Sequence, residues 1–269
     1  HDNHSPEGTP MAEGAMCSQD IFVEVSHGPT LIDNNIMLSR ASVRLATEGV
    51  ACVHNLMLGS FTAVGSGTDH SEDEVGRQPR YTPYHIRHRT EVAGFSTILH
   101  GDDRIYNNIF IQNYQPMEDA KAAKEFGYDN QTAGTKVFEE YPTYEEWIAN
   151  FEMDKPADMH KLMQYHFGHL PVWINGNAYF NGAKASGKEC SNLVNDQDQV
   201  TVELAEQDGA YFLKTNVYDL LEGFRAGIIN SDLLGYAFEP EQRFEEPDGT
   251  AIVFTEDYLG GHRGVSAIP

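Results

Sequence analysis

A pattern of apolar and polar positions recurs four times along the chain: apolar, two variable positions, asparagine, apolar, variable, apolar. It reads Ile32-Asp-Asn-Asn35-Ile36-Met-Leu38, Cys52-Val-His-Asn55-Leu56-Met-Leu58, Ile105-Tyr-Asn-Asn108-Ile109-Phe-Ile111 and Ile174-Asn-Gly-Asn177-Ala178-Tyr-Phe180. Asn35 and Asn55 lie twenty residues apart, about the length of one coil of a parallel β-helix. In such a coil equivalent residues stack at roughly the 4.8 Å inter-strand spacing. Asparagine suits the bend between two short strands: it tolerates the left-handed conformation, and its amide can bond to the asparagine of the next coil. The repeat predicts an all-β parallel β-helix, with Asn35, Asn55 and Asn108 at equivalent corners and Asn35 beside Asn55. The competing reading is four unrelated strand-turn segments of another β-rich fold, since seven loosely specified positions recur easily.

The gaps from Asn55 to Asn108 and from Asn108 to Asn177 call for excursions that leave the coil and return, as solenoids permit. They place insertions at about 65–90 and 116–170. The polar stretch 65–83 reads as a loop. Thr143 with Glu146 three residues later is a capping box, followed by Trp147, Ile148 and Phe151 on one helical face. Met159, Leu162, Met163 and His166 predict a second helix over 158–166. After about residue 196 the pattern changes. Val200 to Leu204 and Tyr211 to Lys214 alternate around an Asp208-Gly209 turn and predict a hairpin. A short helix over 218–228 and an Asp248-Gly249 turn follow. The division is a β-helix over 1–195 and a β-rich extension over 196–269, packed on the end of the solenoid and covering its open edge.

One strand carries candidate chemistry. In Asp20-Ile-Phe-Val-Glu24-Val-Ser-His27-Gly28-Pro29, alternation puts Ile21, Val23 and Val25 on one face and Phe22, Glu24 and Ser26 on the other. Glu24 therefore points out of the core. Flanked by Phe22 in a groove, its carboxyl would be partly desolvated and suited to proton donation near neutral pH; the plain alternative is a solvated surface glutamate. Glu48, twenty-four residues on, could stack one coil below Glu24 or be an ordinary polar turn residue. His27, His85 and His88 are candidates for hydrogen-bonding a substrate beside Glu24, against the alternative of structural histidines. His85-x-x-His88 has no third ligand at recognised metal spacing, so neither metal nor cofactor is expected. Asp102 and Asp103 can bind substrate, or shape the turn with Gly101 and pair with Arg104.

Charge narrows the partners. Eighteen basic against forty-one acidic residues give a formal net charge of −23, which repels phosphate backbones and anionic lipid. Nucleic acid and membrane are not expected, and a neutral substrate such as an oligosaccharide is. Cys17, Cys52 and Cys190 have no metal or redox spacing and read as free, buried thiols; their odd number fits a reducing, cytoplasmic setting. The chain opens at His1, which predicts an N-terminal portion of the same protein as a partner, with a homo-oligomer as a further possibility.

The segment from Asp20 to Asn35 resembles the β-xylosidases of glycoside hydrolase family 120. Tyr81 to Arg89, Gly101 to Asn108 and Gly176 to Gly182 resemble the same group, and the ending Asp257 to Arg263 does so more weakly. The resemblance implies a right-handed parallel β-helix and a retaining exo-glycosidase that releases xylose from xylo-oligosaccharides. It implies Glu24 as acid/base and an aspartate nucleophile about one coil earlier, upstream of residue 1; Asp2 lies near but in the wrong surroundings. Carboxyls on adjacent coils would stand about 5 Å apart, the separation retaining glycosidases use. Beside this reading stand a non-catalytic carbohydrate-binding solenoid and a β-helix glycosidase or lyase of other sugar specificity.

Overall fold

In this computed structural model the described residues are 19–63, 81–114, 132–151, 155–156, 158–160, 168–264 and 266–267. Most regular structure is parallel β-sheet. The chain passes in rotation through three sheets. The first circuit is β1 (Gln19–Glu24), β2 (Thr30–Asp33) and β3 (Ile36–Met37); the second is β4 (Ala41–Ala46), β5 (Val50–Val53) and β6 (Leu56–Met57). β7 (Ser60–Ala63) opens the third. An antiparallel hairpin, β8 (Tyr81–His85) and β9 (Val92–Thr97), precedes β10 (Asp103–Tyr106) and β11 (Ile109–Ile111), and β12 (Val172–Asn175), β13 (Asn177–Phe180) and β14 (Asn192–Asn195) follow. The hydrogen-bonded orders are β1-β4-β7, β2-β5-β10-β12 and β3-β6-β11-β13-β14, with parallel pairing throughout.

The repeat sets this register residue by residue. Ile32, Cys52, Ile105 and Ile174 form one row, and Ile36, Leu56, Ile109 and Ala178 another. Between the rows the asparagines stack as expected: the Nδ2 of Asn35 donates to Asn55, that of Asn55 to Asn108, and that of Asn108 to Asn177, each at 3.0 Å. Each receiving Oδ1 also accepts the backbone N–H of the asparagine above it. The left-handed conformation, however, belongs to the preceding residue: Asn34, His54, Asn107 and Gly176 all have positive φ. The ladder asparagine is thereby free to begin the next strand.

Facing differs from the simple pattern too. On the second strand of each repeat the interior residues are Met37, Met57, Phe110 and Tyr179, at the position read as variable. The flanking apolar residues Leu56, Leu58, Ile109, Ile111, Ala178 and Phe180 point outward and are nonetheless buried, because Val200, Val217 and Leu221 cover them. Likewise Ala51, Val53 and Tyr106 on the middle sheet are covered by Ile229, Leu234, Phe244, Ile252 and Phe254. The region after residue 196 thus lies along two flanks of the sheets, and β14, just before it, extends one of them. Sheets buried on both faces give the continuous apolar runs of β5 and β11.

The capping box at Thr143 and Glu146 is present and starts α1 (Tyr144–Ile148). The hairpin after residue 196 forms as β15 (Val202–Gln207) and β16 (Ala210–Thr215), with Asp208 and Gly209 both at positive φ. The helix expected over 218–228 is a single turn, α2 (Val217–Leu220); Gly223 at φ 87° redirects the chain. Cys52 is buried, but Cys190 is exposed. Most of the 65–83 loop, the 158–166 helix beyond residue 160, Asp2 and Cys17 lie outside the described residues. No helix among the described residues is long and apolar enough to cross a membrane.

Candidate functional site

Glu24 ends β1, in register with Ala46 of the next circuit. Ile21 and Val23 pack on the interior, which leaves Glu24 on the outer face, as alternation predicts. It is exposed. The expected apolar flank is differently arranged, because Phe22 lies beneath the Arg44 guanidinium, 5.2 Å from its ring centroid. Val25 does not continue the strand: at φ 49°, uncommon for a β-branched residue, it turns the chain toward Ser26 and His27.

Two glycines make that corner stackable. Gly28 and Gly49 both have positive φ, and a Cβ on Gly28 would run into the Gly49 carbonyl. The residues just before them, His27 and Glu48, are therefore stacked as well. His27 is 3% and Glu48 2% exposed. His27 Nδ1 lies 2.5 Å from Glu48 Oε1, and Nε2 lies 3.1 Å from the Thr82 carbonyl on β8. Glu48 Oε2 accepts the Leu99 N–H at 2.8 Å. Glu48 is thus the partner of His27 and does not stack under Glu24. Burial alone would lower the His27 pKa, but the hydrogen bond and charge of Glu48, with the Thr82 carbonyl and Glu239, together raise it.

A cleft of about 630 Å³ opens over this corner, lined by residues 25–29 of the first circuit, by the β8–β9 hairpin and by Pro240 and Gln242. All three histidines singled out in the sequence, His27, His85 and His88, line it. His85 is exposed, with Nδ1 donating to the Thr90 carbonyl at 3.1 Å. His88 lies 3.1 Å from Glu245 through Nε2, and its backbone N–H donates to Gln242. The two histidines of His85-x-x-His88 are therefore held by different partners. Asp102 is not in the lining. It is buried, one oxygen accepting from Arg104 at 2.6 Å and the other from the Phe238 N–H at 2.7 Å; burial pushes its pKa up to about 6, against the pull of Arg104. Arg104 also donates to the Leu234 and Tyr236 carbonyls. The pair pins the C-terminal segment to the flank of the middle sheet, in keeping with the turn reading. Asp103 is buried beside it and accepts from Val50 N–H at 3.1 Å; burial pushes its carboxyl well up.

The chain is similar to XylC. A solved structure of XylC in complex with xylose matches at a TM-score of 0.75 and 31% identity, over 92% of this chain and 34% of that one. This chain therefore spans about a third of the length of XylC. Neither a protein-family model nor a curated protein matches.

Sequence reasoning missed the His27–Glu48 pair, although the signal was available. His27-Gly28 and Glu48-Gly49 are twenty-one residues apart, one circuit, and share the glycine that the corner needs.

Proposed function

We propose that this chain carries the acid/base half of a retaining exo-glycosidase of β-xylosidase type, built on a right-handed parallel β-helix. The observation that carries the proposal is the similarity to XylC, solved with xylose, over 92% of this chain. Glu24 stands exposed at the end of β1, immediately before the corner that forms one wall of the three-histidine cleft.

The chemistry follows from two carboxyls on neighbouring coils. An aspartate one coil before Glu24 attacks the anomeric carbon while the Glu24 carboxyl gives its proton to the departing glycosidic oxygen. The aspartate then holds the sugar as a glycosyl ester. Glu24, now a carboxylate, takes a proton from the water that displaces the aspartate, and the configuration at the anomeric carbon is retained. The roughly 4.8 Å spacing of adjacent strands matches the approximately 5–5.5 Å carboxyl separation of retaining enzymes. The aspartate's place rests on the family resemblance. His27, His85 and His88 are proposed to border the bound sugar, with exposed His85 as the donor to its hydroxyls. No cofactor enters the scheme.

Proton NMR of xylobiose hydrolysis by the intact protein tests the reading: β-xylose should appear first and mutarotate later. Initial α-xylose would refute retention, and no release of xylose would leave a sugar binder in place of an enzyme.

A further inference from the structure

We propose that His27 and Glu48 are positioning residues: a buried ion pair that clamps both legs of the β8–β9 hairpin and thereby fixes the wall of the cleft against which the sugar binds. His27 faces a carboxylate oxygen through Nδ1 and a carbonyl oxygen through Nε2. Both are acceptors, and a neutral imidazole has only one N–H. Only the imidazolium satisfies both contacts; the neutral ring would set a lone pair against one of them in a buried site, where an unmet polar contact is costly.

The connectivity says what the pair holds. Thr82 belongs to β8, and Leu99 lies two residues beyond the end of β9. His27 therefore grips the entering leg and Glu48 the leaving leg. Between them the hairpin presents Tyr84, His85 and His88 to the cleft. The Tyr84 ring meets His27 edge-on at 5.9 Å. The strands themselves are exposed along much of their length, so the hairpin has little apolar burial to hold it and depends on such anchors.

The charged groups around the pair fit this role. Glu48 and Glu239 both favour protonated His27. Behind Glu48 stand Asp102 and Asp103 with Arg104. Of the hairpin's other titratable groups, Tyr84 meets His27 edge-on, while His85 is braced on Thr90, His88 on Glu245, Arg87 lies 3.8 Å from Glu241 and Arg89 3.9 Å from Glu91. As pH rises through the His27 pKa the ring loses one N–H, and the clamp opens at one leg.

This inference rests on reading the cleft as the sugar site, so its test separates the two. In the intact protein, amide exchange of the hairpin is measured with kcat and KM for xylobiose, for wild type, Glu48→Gln, His27→Gln and Glu24→Gln. Glutamine at 48 has one acceptor oxygen for two donors. Glu48→Gln and His27→Gln should each lower hairpin protection about tenfold or more and raise KM comparably, with kcat changed less than about threefold. Wild-type protection, corrected for intrinsic exchange, should fall as pH rises through the His27 pKa, which is raised above 6.5. That fall should be absent from His27→Gln, and Glu24→Gln should leave hairpin protection untouched. Unchanged protection in both clamp variants overturns the proposal, as does a loosened hairpin with unchanged KM. If a variant fails to fold, a flat wild-type pH profile of hairpin protection still refutes it. Full xylobiose turnover by Glu24→Gln would sink the catalytic reading while leaving the exchange results to judge the clamp.

Discussion

The side-chain amide of Asn177 donates to Glu189 Oε1 at 2.8 Å, and its backbone N–H to the same oxygen at 3.0 Å. A carboxylate thus ends a column in which every earlier rung is an asparagine. The substitution has a physical reason: a last rung needs acceptors and no donor toward a further coil, and Glu189 spends its second oxygen on the Tyr179 hydroxyl. Burial raises the Glu189 pKa, against the lowering effect of Tyr179 and Asn177.

The middle of that column should be the most sensitive to substitution. Asn108 is fully buried and joins Asn55, Cys52 and Asn177 through its amide. Asn108→Ala strands those partners, and the expected loss is about 3–5 kcal/mol, read as a fall in the denaturant midpoint. A loss under about 1 kcal/mol would mean the ladder is incidental to the stacking.

Gly28 and Gly209 offer a controlled pair, since both have φ above 70°. A Cβ meets the Gly49 backbone at the first and nothing within 4 Å at the second. Gly209→Ala should cost about 1 kcal/mol, the conformational penalty alone. Gly28→Ala should cost at least about 2 kcal/mol more and disturb the cleft. Equal costs in thermal melts would show that the corner has room to relax.

His27 should write its charge into the pH dependence of stability. Its folded pKa is raised above the ordinary 6.5, so its contribution is fully present below that value and is lost as pH climbs through the folded pKa. The stability gap between wild type and His27→Gln should be widest below pH 6.5 and narrow as pH climbs through the raised folded pKa. A constant gap in chemical denaturation across that range would place a neutral ring in the structure.

How far the sequence carried this picture varies by element. The ladder and the row register were legible because each repeat needs an asparagine whose amide reaches both neighbours, a requirement local to seven residues. Which apolar position faces inward was not, since the outer face of β3, β6, β11 and β13 is covered by Val200, Val217 and Leu221, and a sheet buried on both faces loses its alternation. In the site, the outward aim of Glu24 followed from strand period, and the three histidines proved to share one cleft. Of the two readings of Glu48, stacking under Glu24 fails because the neighbour of Glu24 is Ala46, and its partnership with His27 is visible only when circuits are counted from the glycine corner. The bracing of His88 by Gln242, 154 residues away, left no local trace.

The most direct test of the account concerns Glu24. An acid/base must protonate a sugar leaving group, whereas an activated aryl xyloside departs without help. In the intact protein, Glu24→Gln should lower xylobiose hydrolysis by about two to four orders of magnitude while largely sparing glycosyl-enzyme formation from the aryl xyloside. Azide should then restore turnover of the aryl substrate and yield β-xylosyl azide, because the anion attacks the intermediate without a general base. Wild-type rates on xylobiose in Glu24→Gln, with no response to azide, would contradict the assignment and remove Glu24 from the mechanism.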